Sequence, residues 1–537
     1  GKTLEASLDA YRAAFRLADY VEKTYDSDEA RLFLNKIKYT VHSKPINVSL
    51  LLYEITHEKN YLEEAYLFDQ RNKASILSLN VQENELKNKE AGNSTLFEKE
   101  ISLRSAVTRL SLKAAQMTDS TQLQTINASI RDNEIQLGKV QDEMKKDPAY
   151  NEKHLAERIP SVSELQKELD NNTALISYHL SEKELLAIVV TKNKFEVSRS
   201  PITVDFFSAI DSLKRSLHDL SAERRYPGSA ISSRLYQVLI SPVKSGLSAA
   251  KRLIIIPDDE LNYLPFEALQ DEAGKYLIEH FSVGYQYSTA LLKNSIAGHK
   301  QSNTLAFAPF ASKGYKDPAG TELSGLPASK EEVNSLTGKI FTDSNALKNI
   351  FLQTANQYSI IHLATHASVN NEIPQRSFIA FYPATGGDDY KLYAQEIYDM
   401  KLDSTDLIIL SACETGTGQL VKGEGLMSLS RAFAYAGCPN IITSLWKAED
   451  KTTAFITQRL HYYVEKGSGK DIALQKAKLD LLSSKEIDPR FKSPNYWAHL
   501  IFIGQYEKHR SSKSWWWLSI VILACTFLFL FILNRKK

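Results

Sequence analysis

Cysteine is scarce: three residues among 537, at positions 413, 438 and 525. Three cysteines give no framework of pairs. No CxxC, zinc-ligand cluster, GxGxxG or GxSxG occurs, so the redox, nucleotide-fold and serine-hydrolase signatures are missing. Neither sign of charge dominates. The 65 Lys and Arg face 64 Asp and Glu, a net charge of +1, which argues against a nucleic-acid binder. Gly and Pro are nearly missing between residues 3 and 158, which removes the punctuation that strands and turns need and leaves helices. The opening Gly1-Lys2-Thr3 looks like the end of a phosphate-binding loop, yet the preceding strand and glycines are lacking. The chain reads instead as starting inside a helix, with an upstream segment cut away.

What is present is globular: 43% hydrophobic and 24% charged residues, in a chain long enough for two or three domains. Residues 1–71 are expected to form helical repeats. Leu4, Leu8, Tyr11, Phe15, Ala18 and Val21 recur at helical spacing. A second helix runs over 28–42, ending before Pro45, a third reaches His57, and another starts near Asn60. The stretch Tyr61 to Gln70 resembles the second helix of a tetratricopeptide repeat. Such helix pairs stack into an array whose concave face binds proteins, so a protein substrate and a protein regulator are the expected partners. Residues 72–158 are more polar, and Leu123, Ile126, Ile130, Ile135, Leu137 and Val140 make a narrow stripe. That reads as a helical arm or coiled coil, turning near Asn93-Ser94 and spacing the array from the remainder of the chain.

From Pro160 the pattern becomes α/β. Ala174–Tyr178 and Leu185–Val190 read as paired strands around a turn at Ser181-Glu182-Lys183, and a third strand is expected near Lys194–Ser198. Helices at 204–221 and 231–246 precede strands at Arg252–Ile256 and Phe281–Tyr285. Strands and helices then alternate through Thr304–Ala308, Lys339–Phe341, Phe378–Tyr382 and Asn440–Ser444. The expectation is a mostly parallel, doubly wound core over 160–508.

Two runs in that core carry the chemistry. Ser359 to Ala364 and Leu407 to Leu410 are short, β-branched-rich and apolar, as strands buried on both faces of a parallel sheet are. They end at Thr365-His366-Ala367-Ser368 and Ser411-Ala412-Cys413-Glu414-Thr415-Gly416. Open parallel sheets place their sites beyond the carboxyl ends of strands. Neighbouring strands lie about 4.8 Å apart, so His366 and Cys413 would share one rim as base and nucleophile. His362, inside its run, reads as a core residue. The spacing of His362 and His366 spans about 13 Å on a strand, too far for one ion, so no metal is assigned, and no cofactor is implied.

The blocks His362-Leu-Ala-Thr-His366 and Ser411-Ala-Cys-Glu-Thr-Gly416 resemble the two signatures of the CHAT domain, of the caspase, separase and gingipain group of cysteine peptidases. Further blocks match in order: Ile256 to Leu269, Leu326 to Val333, Gly423 to Leu426, Arg431 to Gly437, Ser444 to Trp446 and Tyr496 to Gly504. The resemblance covers roughly 165–508 and implies an inactive half over 165–300 and a catalytic half over 301–508. It implies His366 as general base and Cys413 as nucleophile, with the backbone N–H groups of Ala367 and Cys413 holding the oxyanion. The family usually has Gly where this chain has Ala367. That leaves the oxyanion hole intact only if the local backbone has no need of glycine.

Glu414, Glu424 and Asp450 fall near the same rim and would suit a pocket for a basic side chain. Asp450 also reads as the N-cap of a helix starting at Lys451. Trp515 to Leu533 holds nineteen uncharged residues with three tryptophans at one end, enough for a single-pass helix that crosses a lipid bilayer. The expected protein is therefore a membrane-anchored cysteine endopeptidase. A catalytically silent interaction scaffold is the alternative.

Overall fold

The computed structural model describes residues 1–25, 27–89, 94–117, 119–147, 159–220, 226–292, 303–316, 322–383, 390–447 and 449–508. Its Gly- and Pro-poor part is helical: α1 (Lys2–Thr24), α2 (Asp28–Val41), α3 (Ser43–Thr56), α4 (Lys59–Gln70), α5 (Ser75–Lys89), α6 (Ser94–Gln116) and α7 (Ser120–Lys145). Leu8 and Phe15 of α1 bury against Ile46 and Leu50 of α3 and Leu62 and Phe68 of α4, as their spacing requires. Pro45 sits in the first turn of α3, where the missing N–H has no helical partner to lose.

The arm differs from its expected form. Helices α6 and α7 pair around Phe97, Leu103, Val140 and Met144, so the chain reverses after Gln116 and before Ser120, whereas Ser94 is the first residue of α6. Asp119 caps α7 by accepting from Gln122 N at 2.8 Å, a start signal that outweighs the weak apolar stripe. Ile135 stays 58% exposed, so the stripe is not a continuous seam. Nor does this region act as a spacer. Asn84 Nδ2 donates to the Tyr435 carbonyl at 2.7 Å, and Arg104 Nη1 to the Tyr435 hydroxyl at 2.9 Å. The helices pack directly on the α/β part.

The strands are β1 (Thr173–Leu180), β2 (Glu184–Thr191), β3 (Phe195–Pro201), β4 (Arg252–Ile256), β5 (Ser282–Tyr285), β6 (Thr304–Ala308), β7 (Tyr315–Lys316), β8 (Glu322–Leu323) and β9 (Gly338–Thr342). They continue with β10 (Ile360–Leu363), β11 (Ala367–Ser368), β12 (Phe378–Ala380), β13 (Lys391–Tyr393), β14 (Leu407–Leu410), β15 (Gly418–Val421), β16 (Gly425–Ser428), β17 (Asn440–Ser444) and β18 (Leu500–Gly504). One sheet runs β3-β2-β1-β4-β5-β18-β17-β14-β10-β6-β9. It is mostly parallel; β1–β2, β2–β3 and β17–β18 are the antiparallel pairs. The last strand, β18, stands beside β5 and β17, so it joins the two halves into one surface.

Two elements depart from the expected list. The helix expected over 231–246 stops at Leu239 and continues as a 3-10 segment Ser241–Leu247, because Pro242 cannot extend the α pattern. Phe378–Ala380 joins a separate three-stranded sheet with β11 and β13, not the main one.

The expected single-pass anchor does not stand. No helix among the described residues is long and apolar enough to cross a membrane, and 515–533 lies outside the described residues.

Candidate active site

Strands β10 and β14 are parallel neighbours, with Ile360 opposite Leu407 and Leu363 opposite Leu410. His366 lies three residues beyond Leu363, and Cys413 three beyond Leu410. Equal overhang from matched strand ends brings both to one rim of the sheet. Both are partly buried. A cleft beside the thiol is lined by Glu332, Ser411, Cys413, Asp450, Thr453 and His499, among others.

His366 is oriented from outside its own strand. Its Nε2 lies 2.7 Å from the Ser324 carbonyl, and a carbonyl only accepts, so Nε2 carries the proton. That leaves Nδ1 with the lone pair a general base needs. The ring leans on Phe310, with centroids 5.2 Å apart. Burial is the main cause that lowers the imidazole pKa, partly offset by the Ser324 bond. Burial pushes the Cys413 thiol up to about 11, with nearby Lys447 pulling the other way. Both shifts favour the uncharged forms of the pair. Ser324 and Lys447 were not visible from the sequence as site residues. The carbonyl has no side-chain signature, and Lys447 is one lysine among many.

His362 is wholly buried. Its Nε2 lies 2.7 Å from Glu332 Oε1 and 3.1 Å from Ser411 Oγ, and its Nδ1 lies 2.9 Å from His461 Nε2. It stacks on His461 at 5.1 Å. Every polar atom of this ring is engaged inside the core, beneath the rim.

At Ala367 the backbone is extended. The residue is in β11 and does not have positive φ. Ala380 N donates to His366 O at 2.9 Å, which makes the Ala367–Ile379 pairing a non-hydrogen-bonded one. The Ala367 N–H therefore points away from β12 and is not consumed by it. The glycine-demanding position lies elsewhere: Glu414, directly after the thiol, has φ 58°, a left-handed conformation that costs a non-Gly residue roughly 1–3 kcal/mol. Its carbonyl takes hydrogen bonds from Thr417 N and Oγ1, both at 3.0 Å.

The three acidic candidates separate. Glu414 is exposed beside the thiol, and Asp450 is exposed yet lines the cleft. Asp450 is not the helix cap. Glu449 fills that role by accepting from Thr452 N at 2.8 Å, which leaves the Asp450 carboxylate free of capping. Burial followed by Glu449 raises its pKa. Glu424 does not belong to a substrate pocket. It is 1% exposed, forms a short ion pair with Arg431, and accepts from Asn35 Nδ2, Ser75 Oγ and Ile76 N at 3.1–3.2 Å. Its carboxylate is spent on joining the helical part to the hairpin β15–β16.

The chain is similar in part to several known proteins. Tetratricopeptide repeat protein 28 of Mus musculus is 25% identical over 334 residues, covering 52% of this chain and 13% of that protein; the chain thus spans a small part of the curated relative's length. A chain of the Saccharomyces cerevisiae separase–securin complex aligns with 90% of this chain and 38% of its own at 10% identity and a TM-score of 0.45. The Arg-specific cysteine proteinase gingipain R aligns with 56% of this chain and 74% of its own, at 10% identity and a TM-score of 0.34. The CHAT domain matches residues 229–505, just over half of the chain and both signature blocks, and the chain belongs to the CHAT domain family.

Proposed function

We propose that this chain is a cysteine endopeptidase using His366 and Cys413, in which the helical region binds a protein substrate or regulator. The observation that carries the reading is the matched overhang of the two residues from neighbouring parallel strands, with Ser324 holding the imidazole in the Nε2–H tautomer. His366 Nδ1 takes the thiol proton as Cys413 Sγ attacks the scissile carbonyl. The N–H groups of Cys413 and Ala367 stabilise the oxyanion. The imidazolium then protonates the leaving amine, and water attacks the thioester with His366 again as base. Asp450, with exposed Glu414, favours a basic residue on the acyl side of the cleaved bond. In this reading residues 1–71 are a repeat array, 72–158 a helical arm, and 160–508 the catalytic unit, with its chemistry in 301–508.

One observation favours a second reading. A thiol held near 11 by burial is a poor nucleophile at rest, as in a silent scaffold. A peptidyl acyloxymethyl ketone with lysine or arginine at its reactive end separates the two. Labelling of the intact chain that disappears in Cys413→Ala, together with cleavage of a peptide library after basic residues, supports the enzyme. No labelling, with the fold intact, leaves the scaffold.

A further inference from the structure

His42, His179 and Asp258 are far apart in sequence and meet in the interior, with one donor atom from each lying within 4.8 Å of the others. His42 follows α2, His179 is on β1, and Asp258 follows β4. All three are nearly inaccessible, at 3%, 1% and 4% exposure. His179 Nδ1 has no hydrogen-bond partner. It lies 3.7 Å from Asp258 Oδ2 and 3.5 Å from Asp69 Oδ1 of α4. An unsatisfied buried ring nitrogen between two carboxylates is costly as it stands.

The 3.7 Å from His179 Nδ1 to Asp258 Oδ2 is too long for a hydrogen bond but close to the spacing of two ligands on one ion. Around a tetrahedral ion with bonds of about 2.0–2.1 Å, neighbouring ligand atoms lie roughly 3.3 Å apart. The other ring nitrogens of the two histidines are arranged as a metal's outer contacts require. His42 Nδ1 donates to the Tyr39 carbonyl at 2.6 Å, leaving Nε2 as its donor atom. His179 Nε2 is engaged by Ser43 Oγ at 3.1 Å, leaving Nδ1. Asp258 is held on Oδ2 by Leu180 N at 2.8 Å and on Oδ1 by Asp259 N at 3.1 Å, which fixes its carboxylate in place. Asp69 Oδ1 is taken by Lys73 Nζ at 2.7 Å, so Asp69 borders the group and is not one of its ligands.

We propose that His42 Nε2, His179 Nδ1 and Asp258 bind a divalent ion of the zinc class that clamps the helical region to the α/β part. His42 comes from the helical part, His179 and Asp258 from the sheet and its end. The ion therefore crosses the interface and is remote in sequence from the proposed catalytic pair. Two imidazole nitrogens and one carboxylate suit Zn2+ better than Mg2+ or Ca2+, which take more oxygen ligands.

The test uses the intact chain carrying Cys413→Ala, so that the active-site thiol contributes nothing. The protein is stripped with chelator, dialysed and titrated with ZnCl2 while metal content and melting temperature are read. The expected result is close to one equivalent bound per chain and a higher melting temperature, reversed by chelator. His42→Gln and His179→Gln should each abolish both effects, while His280→Gln, at a surface histidine, should leave them intact. Should either interior variant fail to fold, Co2+ bound to the unsubstituted interior decides by its spectrum: tetrahedral nitrogen and oxygen ligation supports the site. No uptake, uptake unaffected by folded His42→Gln or His179→Gln, or Co2+ bound in another geometry would overturn it.

Discussion

The imidazole of His366 gives its Nε2 proton to the carbonyl of Ser324 at 2.7 Å. A backbone atom thus plays the orienting part that a carboxylate plays in many triads. The Ser324 segment is itself held close to Gly314. A Cβ at Gly314 would stand 2.4 Å from Leu323 O and 3.1 Å from Ser324 C, contacts that backbone cannot absorb without moving. Gly314→Ala should therefore displace the carbonyl and lower kcat by roughly 10–100-fold while KM changes little, since small misplacements of catalytic groups cost about that much. Unchanged kcat in a folded Gly314→Ala protein would remove Ser324 from the mechanism.

The two histidines of the HLATH block should fail in different ways. His366→Ala should abolish turnover and leave the melting temperature nearly unchanged, because the ring is at the rim. His362→Ala removes a ring bonded to Glu332 and His461 inside the core. It should lower stability by about 1–3 kcal/mol, measured by denaturant unfolding. A stable, inactive His362→Ala protein alongside an active His366→Ala protein would reverse the assignment.

Ala367 is not a defect. Its backbone is extended, so glycine offers it no conformation that alanine lacks. Ala367→Gly should leave kcat within about twofold of the parent. Glu414→Gly, by contrast, relieves a left-handed non-Gly residue and should stabilise the fold by about 1 kcal/mol. A large gain in kcat from Ala367→Gly would mean that backbone freedom at this position limits the rate.

The main sheet and the shared rim of His366 and Cys413 were legible because buried parallel strands write themselves as short apolar runs, and Leu363 and Leu410 mark where those runs stop. The tautomer-setting carbonyl of Ser324 was not legible, because any residue can supply it. Glu424 was misplaced for a related reason. Its position after a Gly-rich turn suggested the rim, whereas its role depends on Asn35 and Ser75, hundreds of residues earlier. His42, His179 and Asp258 share no motif and meet only through tertiary packing, so spacing rules for metal ligands pass over them.

The electrostatics of the pair set its pH behaviour. A lowered His366 pKa keeps the base neutral to more acid pH, so the acid limb of kcat/KM should have its midpoint below the ordinary imidazole value of 6.5. The thiol, pushed up to about 11, should react with iodoacetamide faster as pH rises from about 6 to 9, following its small thiolate fraction. Lys447→Glu should raise the thiol pKa further and slow alkylation at a fixed pH. A flat alkylation profile over that range would instead mean a preformed thiolate–imidazolium pair.

The last prediction concerns how the helices reach the site. Glu424 follows the Gly-rich turn after Cys413 and is buried between Arg431 on one side and Asn35, Ser75 and Ile76 on the other. Ala74 N also donates to Gly423 O at 2.7 Å. Any Cβ on Gly423 would stand 2.8 Å from Asn72 O, so the hairpin and the helices are in backbone contact. Behind the hairpin, Ser430 N bonds Thr415 O at 3.1 Å, and Gly416 N bonds Ser444 O at 2.8 Å. A shift in the helices thus has a continuous bonded route to the residues beside the thiol. Glu424→Ala leaves Arg431 buried without its partner and should cost about 3–5 kcal/mol. Asn35→Ala removes one donor from the helical side and should cost only about 1 kcal/mol, leaving the dyad untouched. A partner can bias such a route only by its differential affinity for two hairpin arrangements, and Asn35→Ala should shift the same balance. Its expected signature is therefore a changed kcat with little change in KM, measured on the intact chain. An Asn35→Ala protein with the parent kcat would show that the helices hold the hairpin in place without tuning the thiol.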